Sequence, residues 1–112
     1  MTVIDVGEQN VIHVIATIEL VEGGKEEFLR QFHELVPTVK QEEGCLEYGP
    51  TVDVETNISA QGPARVNVVT VVEKWESLGC LEAHLVASHM LAYRESVKPL
   101  VKSTSLAILE PA

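Results

Sequence analysis

Between Trp75 and Tyr93 the chain carries its only Trp and two of its four His, His84 and His89, within about five helical turns. An indole stacks on rings, and an imidazole with an ordinary pKa near 6.5 can take a proton at neutral pH. Either His therefore reads as a candidate general base. The competing reading is an imidazole that fills space and bonds a carbonyl, and residue type alone leaves both open. Trp75, at the end of a strand, closes the core or forms a pocket wall. Tyr48 lies in a strand with its ring toward the helices, where its hydroxyl needs a partner and could hold a phenolic substrate. His13 and His33 are weaker candidates, with His33 facing solvent beside Glu34.

Other chemistries find less support. Cys80 and His84 share a helical face and His89 is near, but tetrahedral zinc needs further ligands that the spacing does not offer. No Gly-rich phosphate loop follows a strand, and no GxSxG elbow occurs. Neither a metal site nor a bound nucleotide is indicated, while motifs alone leave a flavin open. Cys45 and Cys80 are the only cysteines and form no CxxC motif, which reads as two reduced thiols in a cytoplasmic protein.

The elements that must position these groups follow from periodicity. Val11–Leu20 is apolar on both alternating sets and reads as a strand. Glu22-Gly23-Gly24 turns the chain. Lys25 to about Gln41 places Phe28, Phe32, Leu35, Val36 and Val39 at helical spacing, with Pro37 expected to kink or shorten its end. A second strand is expected over Cys45–Val54, with Leu46, Tyr48 and Val52 on one side. A loop follows over Glu55–Ala64, then a third strand over Val66–Glu73. Ser77 caps a helical region from Leu78 to about Val97, with a possible break near Ala87-Ser88. On an unbroken helix Leu81, Leu85, Ser88 and Ala92 form the inward stripe, with His84 and His89 on its opposite flanks. That puts Ser88 among the expected substrate-binding residues with Tyr48 and Trp75. Pro99 ends the region, and Ser103–Leu109 is a last strand.

The order β-α-β-β-α-β suits a ferredoxin-like α+β fold with a four-stranded antiparallel sheet. Residues 1–10 read as an N-terminal leader and 11–112 as one domain, an ordinary size for one core. Helices can cover one sheet face only, while Val66, Val68 and Val72 oppose Val69 and Val71 on the third strand. An uncovered apolar face predicts a homodimer, sheet on sheet, in a dimeric α/β-barrel.

Composition removes whole classes of partner. Apolar residues make up 46% and charged residues 22%, ordinary for a globular chain rather than a disordered one. Acids outnumber bases 17 to 8, for a net charge of −9, which disfavours nucleic acid and anionic membrane surfaces. No apolar run approaches the ~18–20 residues of a bilayer span. A small neutral or aromatic substrate remains compatible.

Several blocks together resemble the antibiotic biosynthesis monooxygenase family. They are Gly24-Lys25, Val36-Pro37-Thr38-Val39 through Glu42-Glu43-Gly44-Cys45 with Tyr48, Glu73-x-Trp75-Glu76-Ser77, and Leu81 through His84 to His89 and Tyr93. The resemblance covers about Ile12 to Pro111 and is closest to the quinol-oxidising branch. It implies oxidation of a quinol or polycyclic phenol by O2 without metal or flavin. His84 and His89 would be the catalytic proton acceptor or substrate orienter, and Tyr48, Trp75 and Ser88 the substrate-binding residues. The scaffold also serves other chemistry, so two alternatives stand: an isomerase or lyase of a small phosphorylated metabolite, and a non-enzymatic quinone-binding stress protein.

Overall fold

A computed structural model describes residues 11–112; the leader expected over 1–10 lies outside them. The elements are β1 (Ile12–Leu20), α1 (Lys25–Lys40), β2 (Cys45–Thr51), β3 (Val68–Trp75), α2 (Leu78–Leu85), α3 (Ser88–Val97), a 3-10 turn (Lys98–Leu100) and β4 (Val101–Leu109). The sheet order is β2-β3-β1-β4, with every pairing antiparallel. This is the expected ferredoxin-like plan. Among the described residues of one chain the sheet is open, with β2 and β4 as its edges.

Strand alternation decides the core. Ile12, Val14, Ala16, Ile18 and Leu20 of β1 and Val69, Val71 and Trp75 of β3 are buried toward the helices. Against them α1 buries Phe28, Phe32, Leu35 and Val39. Helix α1 runs through Pro37 to Lys40. Pro37 is exposed, so its ring adds nothing to the core interface.

Strand β2 departs from simple alternation. Cys45 pairs with Trp75 and Glu47 with Lys74, so Leu46 is an extra residue at a register shift. Beyond the bulge Tyr48 pairs with Glu73 and is 5% exposed, whereas Leu46 is 46% exposed. Leu46 and Tyr48 thus do not share a buried side. The strand ends at Thr51, which leaves Val52 exposed, and β3 begins at Val68, which leaves Val66 exposed. The intervening segment 52–67 contains no helix or strand and is clipped by Arg65, whose Nε lies 2.8 Å from Asp53 Oδ2.

The last helical region is two helices. Ser77 accepts a hydrogen bond from the Cys80 amide and starts α2, and Ala87 is extended (φ −62°, ψ 142°) between α2 and α3. That break rotates α3 about its axis. Met90 and Val97 are buried in place of Ser88 and Ala92, both of which are exposed, so the inward stripe expected for an unbroken helix is corrected.

Among the described residues, all helices cover one face of the sheet. On the other, Ile15 of β1 lies between Val72 of β3 and Ala107 of β4. Even on the helix side β4 is thinly covered: Leu106 and Ile108 are nearly half exposed.

Candidate active site

Under α2 and α3 the sheet opens into a cavity of about 360 Å³, within the ~300–1,000 Å³ typical of small-molecule sites. Its floor is Ala16, Ile18, Val71 and Tyr48; Met90, Val97 and Phe28 add apolar wall. Four groups bring polarity inward: His84, Glu73, Tyr48 and Tyr93. Exposed Arg94, Lys98, Thr104 and Leu106 border its open side.

His84 is 1% exposed, placed inward by the second turn of α2. Its ring lies 4.6 Å from that of Trp75 and edge-on to Tyr48 at 5.3 Å. Its Nδ1 is 2.9 Å from Glu42 Oε2 and 3.2 Å from Oε1. Burial lowers the His84 pKa below its ordinary 6.5, against an upward pull from the Glu42 carboxylate. Burial prevails, so this close pair is a neutral imidazole donating to a carboxylate near pH 7.

Glu73 is buried on the same strand face as Val71 and Trp75. Trp75 Nε1–H donates to its Oε1 at 2.9 Å. Burial pushes the Glu73 carboxyl from 4.5 up to about 6; the Trp75 bond opposes this and the negative Glu42 adds to it. Tyr48 stacks on Phe32 at 5.3 Å, and its phenol is shifted upward by burial first and by Glu73 second. The buried Tyr93 hydroxyl, also shifted upward by burial, has no hydrogen-bond partner among the described residues.

Of the five residues singled out in sequence, His84 and Tyr48 line the cavity. Trp75, fully buried, stands behind His84 and holds Glu73 rather than facing the space. His89 is outside the lining. Its Nε2 lies 2.7 Å from Glu42 Oε2, so the two histidines meet at one carboxylate rather than in one pocket. Ser88 is exposed at the start of α3 and lies outside the lining.

Three further groups emerge here. Glu73 was legible, since period two from Val69 and Val71 carries it to the face of Trp75. Tyr93 falls on the inner side of α3 only once the helix break is known. Glu42 lies 42 residues from His84, and no local spacing signals their meeting.

A four-stranded antiparallel sheet with helices on one face, enclosing an aromatic cavity with one buried imidazole and one buried carboxyl, defines a small ferredoxin-like α+β protein with a candidate catalytic pocket. The antibiotic biosynthesis monooxygenase profile matches residues 11–96, and the chain belongs to that family. It is 47% identical over 83 residues to the probable quinol monooxygenase YgiN of Escherichia coli (strain K12), covering 74% of this chain and 79% of that protein. The same similarity holds for YgiN of Shigella flexneri. Among solved structures, the fold is shared with PA3566 from Pseudomonas aeruginosa. That match has TM-score 0.76 at 23% identity and covers 94% of this chain and 97% of the other. A conserved protein from Methanosarcina mazei Go1 matches with TM-score 0.79 at 21% identity, covering 95% and 97%.

Proposed function

We propose that the protein oxidises a quinol or polycyclic phenol with O2, the substrate itself supplying the electrons. The observation that carries this reading is the buried His84 at the wall of a mostly apolar cavity, its Nδ1 held by Glu42. Kinship with a probable quinol monooxygenase supports it. His84 Nε2 would accept a phenolic proton, and the resulting phenolate is electron-rich enough to reduce O2. In the monooxygenase outcome one oxygen atom enters the ring and the other leaves as water. The quinol then ends as a hydroxyquinone, having supplied four electrons. The protein's part is to hold the ring beside Tyr48, exclude water and take the proton. No step calls for a resident metal or flavin.

The reading includes a homodimer paired through the uncovered sheet face around Ile15, Val72 and Ala107, a row in which no charged residue intervenes.

The test is oxygen uptake by metal-stripped, flavin-free protein with a reduced naphthoquinol. Wild type should exceed the spontaneous rate, and His84→Ala should fall by about 10²-fold or more, as expected for a lost general base. A wild-type rate no higher than spontaneous would sink the reaction. Tight quinone binding without turnover would instead select a binding protein. An unimpaired His84→Ala would remove the proton acceptor while leaving the reaction.

A further inference from the structure

We infer that Glu42 is the positioning residue of this site: its carboxylate holds His84 in the tautomer that presents a bare Nε2 to the cavity, and His89 serves that carboxylate rather than the substrate. The inference deepens the functional reading above and rests on it for the meaning of the tautomer.

Geometry carries the argument. Glu42 follows the end of α1, where its amide donates to the Val39 carbonyl at 2.9 Å and its carbonyl accepts from the Cys45 amide at 3.2 Å. With the backbone so held, the carboxylate, 14% exposed, reaches His84 Nδ1 at 2.9 Å and His89 Nε2 at 2.7 Å through the same oxygen. An ionised carboxylate only accepts, so both facing nitrogens carry hydrogen. For neutral His84, a hydrogen on Nδ1 means a lone pair on Nε2. That nitrogen has no protein partner among the described residues, and its ring lines the cavity. When Nε2 takes a proton, the new positive charge arises 2.9 Å from a carboxylate already in place. His89, 29% exposed and outside the cavity wall, has no comparable route to a substrate. What it can do is turn Glu42 toward His84.

The titratable and charged groups around His84 come from several elements: Glu42 from the turn after α1, Tyr48 from β2, Glu73 from β3, and His89, Tyr93 and Arg94 from α3. A variant that neutralises only Glu42 leaves the others in place. Glu42→Gln keeps the size of the side chain and removes its charge. Its predicted signature is twofold. The plateau kcat falls about 10²-fold, within the ~10²–10⁴ of a general base. At the same time the acid limb of kcat/KM moves to lower pH, because the group raising the His84 pKa is gone while burial persists. General loss of fold would not move the limb in that direction.

The experiment uses the whole chain. Nitrogen-15 spectra of the substrate-free protein report the His84 tautomer and its titration without any turnover, and oxygen uptake with a reduced naphthoquinol reports the rates. The expected results are an Nδ1–H tautomer in wild type and a lower His84 pKa in Glu42→Gln. In His89→Ala, kcat should fall roughly tenfold, as for the loss of one hydrogen bond to a charged group, with KM little changed. His89→Gln, whose amide N–H can still donate to Glu42, should recover most of that loss. An Nε2–H tautomer in wild type, or an unmoved His84 titration in Glu42→Gln, would overturn the positioning role. A rise in KM in both His89 variants would return His89 to the substrate. Should the spectra behave as expected while wild type oxidises no quinol, the reaction fails and the role of Glu42 stands.

Discussion

Gly44 offers the sharpest quantitative test of how the site is braced. It has φ +78°, and a Cβ built there would lie 2.4 Å from Cys80 Sγ and 2.8 Å from Cys80 Cβ. Its carbonyl also accepts the Glu76 amide at 2.8 Å, tying the Glu42 turn to the start of α2. Two costs add in Gly44→Ala. The left-handed backbone costs an L-residue ~1–2 kcal/mol. Forcing a methyl into packed atoms costs ~1–3 kcal/mol, and here one of the opposing atoms is a helix Cβ that cannot swing aside. The sum, about 2–5 kcal/mol, is a large share of the ~5–15 kcal/mol that holds a domain folded. For a chain of this size it should lower Tm by roughly 8–20 °C. Urea or thermal unfolding followed by circular dichroism measures it. Adding Cys80→Ala removes the Sγ overlap but not the Cβ one or the backbone strain. The double variant should therefore recover about 1 kcal/mol relative to the sum of the single effects. A loss below about 1 kcal/mol in Gly44→Ala, or strictly additive variants, would refute the close-approach reasoning.

The remaining expectations concern the cavity and the uncovered face. The Glu73 carboxyl is raised from 4.5 to about 6, so its contribution is fully present below pH 4.5 and is lost as pH rises through 6. The shift corresponds to about 2 kcal/mol; the stability of Glu73→Gln relative to wild type should thus improve by about that amount between pH 4 and 7, and a pH-independent difference would count against it. Tyr93→Phe deletes a buried hydroxyl that has no partner among the described residues. It should leave the protein as stable or about 1 kcal/mol more so while raising the KM for a quinol, and a clear drop in Tm would show that the hydroxyl is already satisfied. Light scattering at micromolar concentration should give twice the 12.3 kDa of one chain. Ile15→Lys, at the middle of the uncovered face, should halve that mass, and a stable wild-type monomer would remove the dimer.

Much of the architecture was legible because it depends on local periodicity. The two-faced apolar run of β1, the helical spacing of Phe28, Phe32, Leu35 and Val39, and the Ser77 cap each specify an element from neighbouring residues alone. Their order then leaves few arrangements, and the expected fold is the observed one. The same alternation puts Tyr48 toward the helices, where it lies against Phe32. The structure departs from simple periodicity wherever one residue shifts the phase. The extra residue at Leu46 separates it from the buried side of Tyr48, and the extended Ala87 turns Ser88 and Ala92 outward while bringing Met90 and Tyr93 in. No Gly or Pro announces the bulge, and the break expected near Ala87-Ser88 changes the phase of α3 by an amount that local spacing does not give.

The sequence by itself determined the elements, their order and the presence of His84, Tyr48 and Trp75 in one domain. Only the tertiary structure decided what those residues do to one another. Glu73 gained its raised pKa from surroundings contributed by several elements. Glu42, far along the chain from both histidines, joined them through the docking of α2 and α3 beside the end of α1. Periodicity is a property of neighbours in sequence, whereas burial and charge pairing are properties of neighbours in space, and the chemistry of this cavity belongs to the second kind.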